Sequence, residues 1–424
     1  MSITTINPVR KAYTEHELTT DLDISSRGFW EKPFTERAET FARLRREAPV
    51  SFHRPIEVTY EHDEKGFWAV TKADDITEVA RMDDVFLSGL GNIVDPLPFD
   101  PRIGAFFHTQ DGEEQKNNRA LVSTAFTPRH VAKMIDQIHE TAEQIVDDLI
   151  GIGDTDFVTA VSEKLPSITG ARLFGLPDSE RDAFGRASSS VVAQGDPETG
   201  NPEDPIKAFA EAKAYFRELG LRLAAGRRED PRDDLMTNLV QAELDGQRLT
   251  DEDIAGFTSL MAVGSNDTTK QTTTLTMLAL AANPDQKAWL MEDFDGRIGT
   301  ATNEFLRNAT PVIAHARTAS RDIVFHGQHI SKGDKVGIFY TSGNRDEERF
   351  VDPMRFDLSR RPNPHMAFGG GGVHYCLGNR LASAMLQAIF GQLLRRTTVT
   401  ITGEPEYLVS SIINGIRHLP VHIE

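Results

Sequence analysis

AFGGGGVHYCLGNRLASA, residues 367–384, is the stretch of sequence that decides the fold. Its glycines free the backbone to approach a flat ligand closely. Cys376 stands where this loop enters a helix predicted from about Leu377 to Leu394, and the free N–H groups at a helix N-terminus favour the thiolate over the thiol. Gly378, which has no side chain, would let the helix lie close beneath the ligand. The stretch therefore predicts a metal-ligating cysteine under a flat cofactor.

Two other interpretations of this loop are open. A lone cysteine can simply be a buried core residue, and a glycine-rich loop before a helix can bind phosphate. A phosphate loop would want a further Gly and a Lys or Ser/Thr, whereas His374, Tyr375 and Cys376 stand here. The chain has one cysteine, which excludes an intramolecular disulfide and any zinc or iron–sulfur site built from several cysteines.

The composition of the 424 residues is that of a globular protein, and no repeat or low-complexity stretch divides the chain. We therefore expect a single domain over 1–424, with 1–20 a loosely ordered N-terminal segment. The net charge of −18 argues against nucleic acid or an anionic membrane as a partner, because either would repel the average surface. No membrane span and no signal peptide are indicated, so the cytoplasm is the default location.

Apolar residues recur every three or four positions along much of the chain, which predicts amphipathic helices. A much longer helix, of about 33 residues and about 50 Å, should begin after Thr250 and end at Asn283-Pro284. Its first half has no wide polar face and should be buried. The other predicted helices lie near 131–149, 158–175, 205–226, 232–243 and 295–309.

Strands are indicated in few places. Residues 57–71 are typical of a hairpin around a polar turn, with a helix following at Asp74, and no strand is indicated for about 240 residues after it. Short strand-like runs lie around 311–340 and at the C-terminal end. The fold class predicted is therefore mainly α with a minor β part.

EFLR, residues 304–307, is a second motif. Glu304 and Arg307 are three residues apart on a predicted helix, so they share a face and can pair. On a surface such a pair is common and is worth only about 0.2–0.5 kcal/mol. By itself the motif indicates no more than an ion pair.

GSNDTT, residues 264–269, lies within the long helix. Thr is a poor helix former and a buried Asp is costly, so Asp267 beside Thr268 in an apolar helix needs a reason. In the simplest interpretation Thr268 bonds back to a carbonyl four residues earlier and Asp267 points to solvent. In a catalytic one, the acid and the hydroxyl supply protons to a reaction.

The loop at 367–384 resembles the haem-binding loop of cytochromes P450. The motifs at 264–269 and 304–307, with NRDEERFVDPMRFDLSRRPNPH after the latter, are similar to other family motifs, so the resemblance covers the chain from about residue 40 to the end. It implies the cytochrome P450 fold, with a long central helix over a buried haem b whose iron is held by the thiolate of Cys376. It also implies a monooxygenase that uses O2 and two electrons.

The loop departs from the usual family pattern in one respect. Phe368 lies eight residues before Cys376, where the family usually has seven. A longer loop with an extra glycine is similar to that of actinobacterial members acting on sterols and branched lipids. The resemblance therefore implies a soluble bacterial-type enzyme that hydroxylates a lipid, terpenoid or sterol-like molecule.

The resemblance also assigns roles to individual residues. Asp267 would be the proton gate and Thr268 the hydroxyl beside bound oxygen, while Ser265, where the family often has Gly, would narrow the groove or join the proton relay. Arg355 would complete a structural network with Glu304 and Arg307.

Haem carries two propionates that need cationic or hydrogen-bonding partners. The family positions for them suit His374 and two arginines, and Gln115, where the family usually has His, would give a neutral hydrogen bond. Each of the charged residues is also consistent with a plain surface charge. Besides Cys376, the implied haem contacts are His374, Arg317, Arg119, Gln115, Phe368, Gly264 and Gly378.

The positions where the family places its substrate are largely apolar here, which implies an apolar small-molecule substrate. Such residues are more often plain core. The polar loop at 193–204 is Gly/Pro-rich and would suit the joint of a lid. The implied substrate contacts are Ile93, Val94, Leu97, Phe106, Phe107, Leu260, Val263, Gly264, Val312, Ile313 and Ile412.

Electrons would have to come from another protein, because only 48 residues follow Cys376 and no flavin or nicotinamide domain is indicated. The resemblance implies a ferredoxin or flavodoxin with an NAD(P)H-dependent reductase, docking on a basic patch drawn from Arg129, Arg380, Arg395 and Arg396. Two alternatives are a peroxide-driven hydroxylase, which usually lacks the acid and threonine pair, and a non-catalytic thiolate haem sensor or carrier. The latter would need neither Asp267 nor Thr268.

Overall fold

The computed structural model describes residues 16–97, 106–126, 128–192, 198 and 204–424. Most of the predicted N-terminal segment and of the lid joint at 193–204 therefore lies outside the described residues. The helices are α1 (Arg27–Trp30), α2 (Phe34–Glu47), α3 (Ala73–Arg81), α4 (Gly112–Ala125), α5 (Pro128–Asp147), α6 (Lys164–Phe174), α7 (Asp178–Val192), α8 (Pro205–Glu229), α9 (Leu235–Gln241), α10 (Asp251–Ala282), α11 (Pro284–Glu292), α12 (Phe294–Ala309), α13 (Tyr340–Gly343) and α14 (Asn379–Arg396).

The strands are short and form a minor part of the fold, as the sequence predicts. They are β1 (Val50–His53), β2 (Phe67–Val70), β3 (Phe86–Leu87), β4 (Gly153–Asp156), β5 (Glu243–Leu244), β6 (Gln247–Arg248), β7 (His315–Ala319), β8 (Ile323–Phe325), β9 (Gln328–Ile330), β10 (Lys335–Ile338), β11 (Val399–Ile401), β12 (Glu406–Tyr407), β13 (Ile416–His418) and β14 (Pro420–Ile423). The largest sheet has the order β1-β2-β10-β7-β3, and β11-β14-β4 form a second one.

The predicted hairpin at 57–71 is wrong in its first strand. β2 pairs antiparallel with β1, so that His53 lies opposite Phe67, and residues 57–60 belong to no strand. All four residues of each strand are buried, whereas the EVTY segment alternates between exposed and half-buried residues. Burial on both faces outweighs the alternation of residue types that suggested a strand at 57–60.

The predicted stretch without strands is interrupted as well. β3, β4 and the two-residue strands β5 and β6 all fall within it. β3 and β4 are edge strands of the two larger sheets, and β4 has the sequence GDTD, in which only Thr155 favours a strand. Pairing with the distant β14 creates this strand, so its own residues could not predict it.

α10 is the central helix of the fold and matches its prediction closely. The side chain of Thr250 accepts a hydrogen bond from the backbone N–H of Asp253, whose carboxylate accepts one from Thr250 in return, and such a capping box fixes a helix start. The helix ends before Asn283, and Pro284 opens α11. Residues 254–259 are buried, because α6, α7, α8, α12 and α14 pack around the helix.

Candidate active site

The cysteine loop is closed by its own backbone. The N–H of Cys376 donates to the carbonyl of Phe368 at 3.0 Å, which ties the two ends of the loop together. Gly372 has a φ of +74°, and a Cβ there would lie 2.2 Å from the carbonyl oxygen of Ala80 in α3. Only glycine fits such a position. The glycines therefore serve close packing on α3 at least as much as any approach to a ligand.

Burial raises the pKa of the Cys376 thiol, against the influence of the Gly378 backbone N–H and of the nearby positive charge of Arg119, which both lower it. The Gly378 N–H thus favours the thiolate, as expected at the start of a helix, and burial opposes it. α14 begins at Asn379, after Cys376, with Gly378 as its N-cap. A metal cation would supply the charge that deprotonates a coordinating thiol.

Hydrogen-bond donors converge on this loop from α4. Arg119 donates to the carbonyl of Tyr375 at 2.6 Å, and its guanidinium stacks 5.5 Å from the centre of the Phe107 ring. Gln115 donates from Nε2 to the carbonyl of Val373 at 3.0 Å. Gln115 is buried, and its Oε1 has no hydrogen-bond partner among the described residues. These contacts hold α4 against the cysteine loop.

Arg317 and His374 add to the same region. The side chain of Arg317 in β7 is buried, and this burial lowers its pKa. The pKa of His374 is lowered to about 3, first by burial and then by the charge of Arg317. A buried cation is expensive unless an anion accompanies it. The donor set of Arg119, Arg317, Gln115 and His374 beside one buried thiol therefore fits a metal macrocycle that carries carboxylates.

The motif at 264–269 divides between two sides of α10. The hydroxyl of Thr268 donates to the carbonyl of Gly264 at 2.7 Å, which is the back-bonding of the simplest interpretation. The hydroxyl of Ser265 donates to the carbonyl of Met261 at 2.6 Å and lies beside Gly170 of α6. Ser265 is thus directed at a neighbouring helix.

Asp267 does not point to solvent. It is buried, forms an ion pair with Lys270 at 2.6 Å and accepts hydrogen bonds from Ser188 and Ser189 of α7 at 3.1 Å each. Lys270 also donates to Ser189 at 3.0 Å. Lysine three residues after an acid on a helix is a known pairing, so Lys270 could have been found from the sequence. The two serines, far away in the chain, could not.

A cavity of about 1170 Å³ borders this side of α10, and Asp267, Lys270, Asn266 and Glu163 lie in its wall. Burial raises the pKa of Glu163. The side-chain oxygen of Asn266 is buried and has no hydrogen-bond partner among the described residues. Polar walls of a cavity this large can be solvated. Asp267 therefore borders a cavity large enough to hold water.

The ion pair of EFLR is fully buried, and the third residue of its network is not the predicted one. Arg307 donates twice to Glu304, at 2.8 and 2.7 Å. The side chain of Arg355 is exposed, and Arg355 contributes only its carbonyl, which accepts from Arg307 at 3.1 Å. Arg360 instead lies 3.3 Å from Glu304. The backbone of Asp357 donates to Glu304 as well. The network therefore consists of Glu304, Arg307 and Arg360.

The predicted substrate contacts fall into two groups. Val94 and Ile313 belong to a core cluster built by α1, α2 and neighbouring strands, which favours the plain-core interpretation for these two. The other predicted substrate contacts lie outside this cluster. Phe106 and Phe107 belong to the main core, and Leu97, Leu260, Val263, Val312 and Ile412 are partly buried against it, while Ile93 is half-buried and Gly264 is exposed.

The arginines of the predicted basic patch differ in their surroundings. Arg395 pairs with Asp295 at 2.6 Å, and Arg396 pairs with Asp147, so the charge of each is partly neutralised. Arg129 and Arg380 are exposed. No described helix is long and apolar enough to cross a membrane.

Known proteins resemble this chain over most of its length. Residues 201–410 match the model of the cytochrome P450 family. The methyl-branched lipid omega-hydroxylase of Mycobacterium tuberculosis is 36% identical over 95% of this chain and 94% of its own. The steroid C26-monooxygenase of Mycolicibacterium smegmatis is 35% identical over 90% of both.

Solved structures agree with this. A cytochrome P450 of Mycobacterium marinum, in complex with pseudoionone, superposes with a TM-score of 0.89 at 42% identity and covers 97% of this chain and 99% of its own. A cytochrome P450 of Bacillus megaterium in complex with testosterone gives a TM-score of 0.77 at 26% identity, covering 92% and 99%. With the mainly α fold confirmed, the chain belongs to the cytochrome P450 family and is a monooxygenase.

Proposed function

We propose that the protein binds haem b through the thiolate of Cys376 and hydroxylates an apolar lipid, terpenoid or sterol-like substrate. The observation that carries this is the thiol of Cys376 beside four hydrogen-bond donors that lack a carboxylate partner of their own in the described part of the site. Of these donors, Arg317 and Gln115 are buried, and Arg119 and His374 are half-buried. Arg119, Arg317, His374 and Gln115 would hold the two propionates. When bound, haem supplies the activation of dioxygen.

The side chains of α10 would supply protons to the reaction and fix the positions of the groups that deliver them. Asp267, solvated through the cavity behind α10, would act as the proton gate, and Thr268 would hold a hydroxyl at a fixed point on the helix. Lys270 and the two serines of α7 would hold the Asp267 carboxyl group in place. A proton donor held in this way favours an oxygenase over a protein that only binds haem.

Replacing Thr268 with alanine tests this role. We expect product formation to fall about tenfold or more, because one positioned proton-transfer group is lost, while NAD(P)H consumption continues and more of it yields hydrogen peroxide. Product and peroxide are measured per NAD(P)H consumed. Ser265→Ala is the matched control, because Ser265 donates to Met261 beside α6. If Thr268→Ala leaves peroxide yield unchanged, Thr268 has no role in proton delivery.

The substrate class rests on two supports. The partly buried residues Leu97, Leu260, Val263, Val312 and Ile412 are all apolar, and two relatives carry names of lipid and steroid oxidation. Ferredoxin or flavodoxin with an NAD(P)H-dependent reductase would deliver the electrons, and both are found in the cytoplasm, where we expect the enzyme to act. Of the four arginines of the predicted basic patch, Arg129 and Arg380 are exposed and would be available to an acidic carrier.

Turnover of a substrate panel tests the proposal. The holoenzyme is given palmitic acid, a methyl-branched fatty acid, a terpenoid ketone or a sterol, with a ferredoxin–reductase system or with hydrogen peroxide alone. We expect a hydroxylated product from at least one class with ferredoxin and NAD(P)H. Product with peroxide only would select the peroxide-driven hydroxylase. Haem binding without product from any class would select the sensor or carrier.

A further inference from the structure

A second carboxyl group lies in the wall of the cavity behind α10, together with that of Asp267. Glu163 is the N-cap residue of α6, but its side chain does not cap that helix, and it lines the cavity instead. The residue before it, Ser162, is tied to α10, because the hydroxyl of Thr274 donates to that of Ser162 at 2.8 Å. Thr274 lies one helical turn after Lys270, which pairs with Asp267. The backbone at Glu163 is therefore held close to this ion pair.

The surroundings of Glu163 suit a group that both gives and takes protons. Burial raises its pKa and is the largest influence on it. The charge of Lys270 lowers this pKa, and three nearby carboxylates raise it, which are those of Asp156, Asp267 and Asp182. A carboxyl group with a raised pKa keeps its proton to a higher pH than an ordinary glutamate, which brings it nearer to the pH at which an enzyme works.

Asn266 offers a place for water between the two acids. Its side chain is 3% exposed and lies in the same cavity wall as Glu163 and Asp267. Its Oδ1 has no hydrogen-bond partner among the described residues, and a buried polar atom is rarely left without one. A cavity of about 1170 Å³ has room for water that would donate to this oxygen. Because Asn266 directly precedes Asp267, such water would lie close to the Asp267 carboxyl group.

We propose that Glu163 is a proton relay residue, which takes protons from solvent in the cavity and passes them, through water at Asn266, to Asp267. For each proton that Glu163 gives up towards Asp267 it regains one from solvent, so its charge is restored and only O–H bonds form and break. Glu163 acts through Asp267 and does not touch the reacting atoms. The inference rests on the proposed function and adds to it the residue at which protons enter.

Glu163→Gln removes the carboxyl proton and keeps the size of the side chain. We expect product per NAD(P)H consumed to fall about three- to tenfold, less than the loss of roughly a hundredfold or more for a group that acts on the reacting atoms itself. The solvent deuterium isotope effect on product formation should rise. Glu163→Asp keeps the acid and should recover most of the yield, and Asn266→Ala should lower the yield as Glu163→Gln does. The holoenzyme is assayed with the ferredoxin–reductase system and the same substrate panel.

Infrared difference spectra test Glu163 without turnover. The spectrum of the wild type minus that of Glu163→Gln should contain the C=O band of a protonated carboxyl group above pH about 4.3, where an ordinary glutamate is already ionising. The band should shift as soon as the protein is transferred to D2O, because solvent in the cavity reaches the group. Both the haem-free and the haem-bound protein are measured.

Glu211→Gln is the matched control, because Glu211 lines the same cavity but is 68% exposed and pairs with Lys207 at 3.9 Å. It should leave the yield and the isotope effect unchanged. The inference is overturned if Glu163→Gln behaves as the wild type, if Glu163→Asp is as impaired as Glu163→Gln, or if the infrared band is missing. If Glu163→Gln does not take up haem, Asn266→Ala decides in its place, and an unchanged yield overturns the inference. The proposed function survives each of these results as long as the wild type hydroxylates a member of the panel, and it fails separately if no member is hydroxylated.

Discussion

Cys376→Ala will abolish the strongly red-shifted Soret band that we expect from the dithionite-reduced protein with carbon monoxide. The band requires an axial thiolate, and Cys376 is the one cysteine of the chain, so nothing else can replace it. The loss should be complete. The measurement is the difference spectrum with and without carbon monoxide on wild type and variant, each supplied with haem during expression.

Tyr375→Phe is the neighbouring control. Its side chain is 41% exposed, and the loop holds Arg119 through the backbone carbonyl of Tyr375, which the substitution keeps. This variant should retain the red-shifted band. A wild type without haem, or one with the blue-side band of a neutral ligand in fresh protein, would show that Cys376 is not the ligand and that the proposed function is wrong.

Arg307→Leu will destabilise the fold by about 3–5 kcal/mol, because it leaves the buried carboxylate of Glu304 without its main partner. Arg307 and Glu304 are both fully buried. The free energy of unfolding is measured by denaturant titration of the haem-free and haem-bound forms, followed by far-ultraviolet circular dichroism. A low yield of soluble protein from this variant would also indicate that the fold is destabilised.

Arg355→Leu is its matched control. The exposed side chain of Arg355 takes no part in the network, and its carbonyl remains in place, so we expect a change within about 0.5 kcal/mol. Arg360→Leu should fall between the two variants, because Arg360 lies 3.3 Å from Glu304 without the paired hydrogen bonds of Arg307. Equal damage from Arg355→Leu and Arg307→Leu would restore the network first predicted from the sequence.

Signals carried by neighbouring residues predicted the fold well. The capping box at Thr250 and the Asn283-Pro284 stop bound α10 almost to the residue, since both act within one helical turn. β4 escaped prediction because a partner strand some 260 residues away, β14, determines it. The first strand of the predicted hairpin failed for a related reason, since burial against the core outweighs local alternation.

In the candidate site, too, residues in local motifs could be predicted and residues brought in by distant contacts could not. Cys376, Glu304 and Arg307 stand in compact motifs and could be singled out from the sequence. Arg360 could not be told from Arg355, because which arginine turns inward depends on the path of the loop between them. The serines that hold Asp267 come from α7, and nothing in their own sequence marks them.

The cysteine loop is one residue longer than the usual family pattern, yet it is tightly packed. The hydrogen bond between Cys376 and Phe368 closes it into a ring, and Gly372 rests on the backbone of Ala80. Gly372 thus packs the loop directly against α3, and any side chain at this position would push the loop and the helix apart.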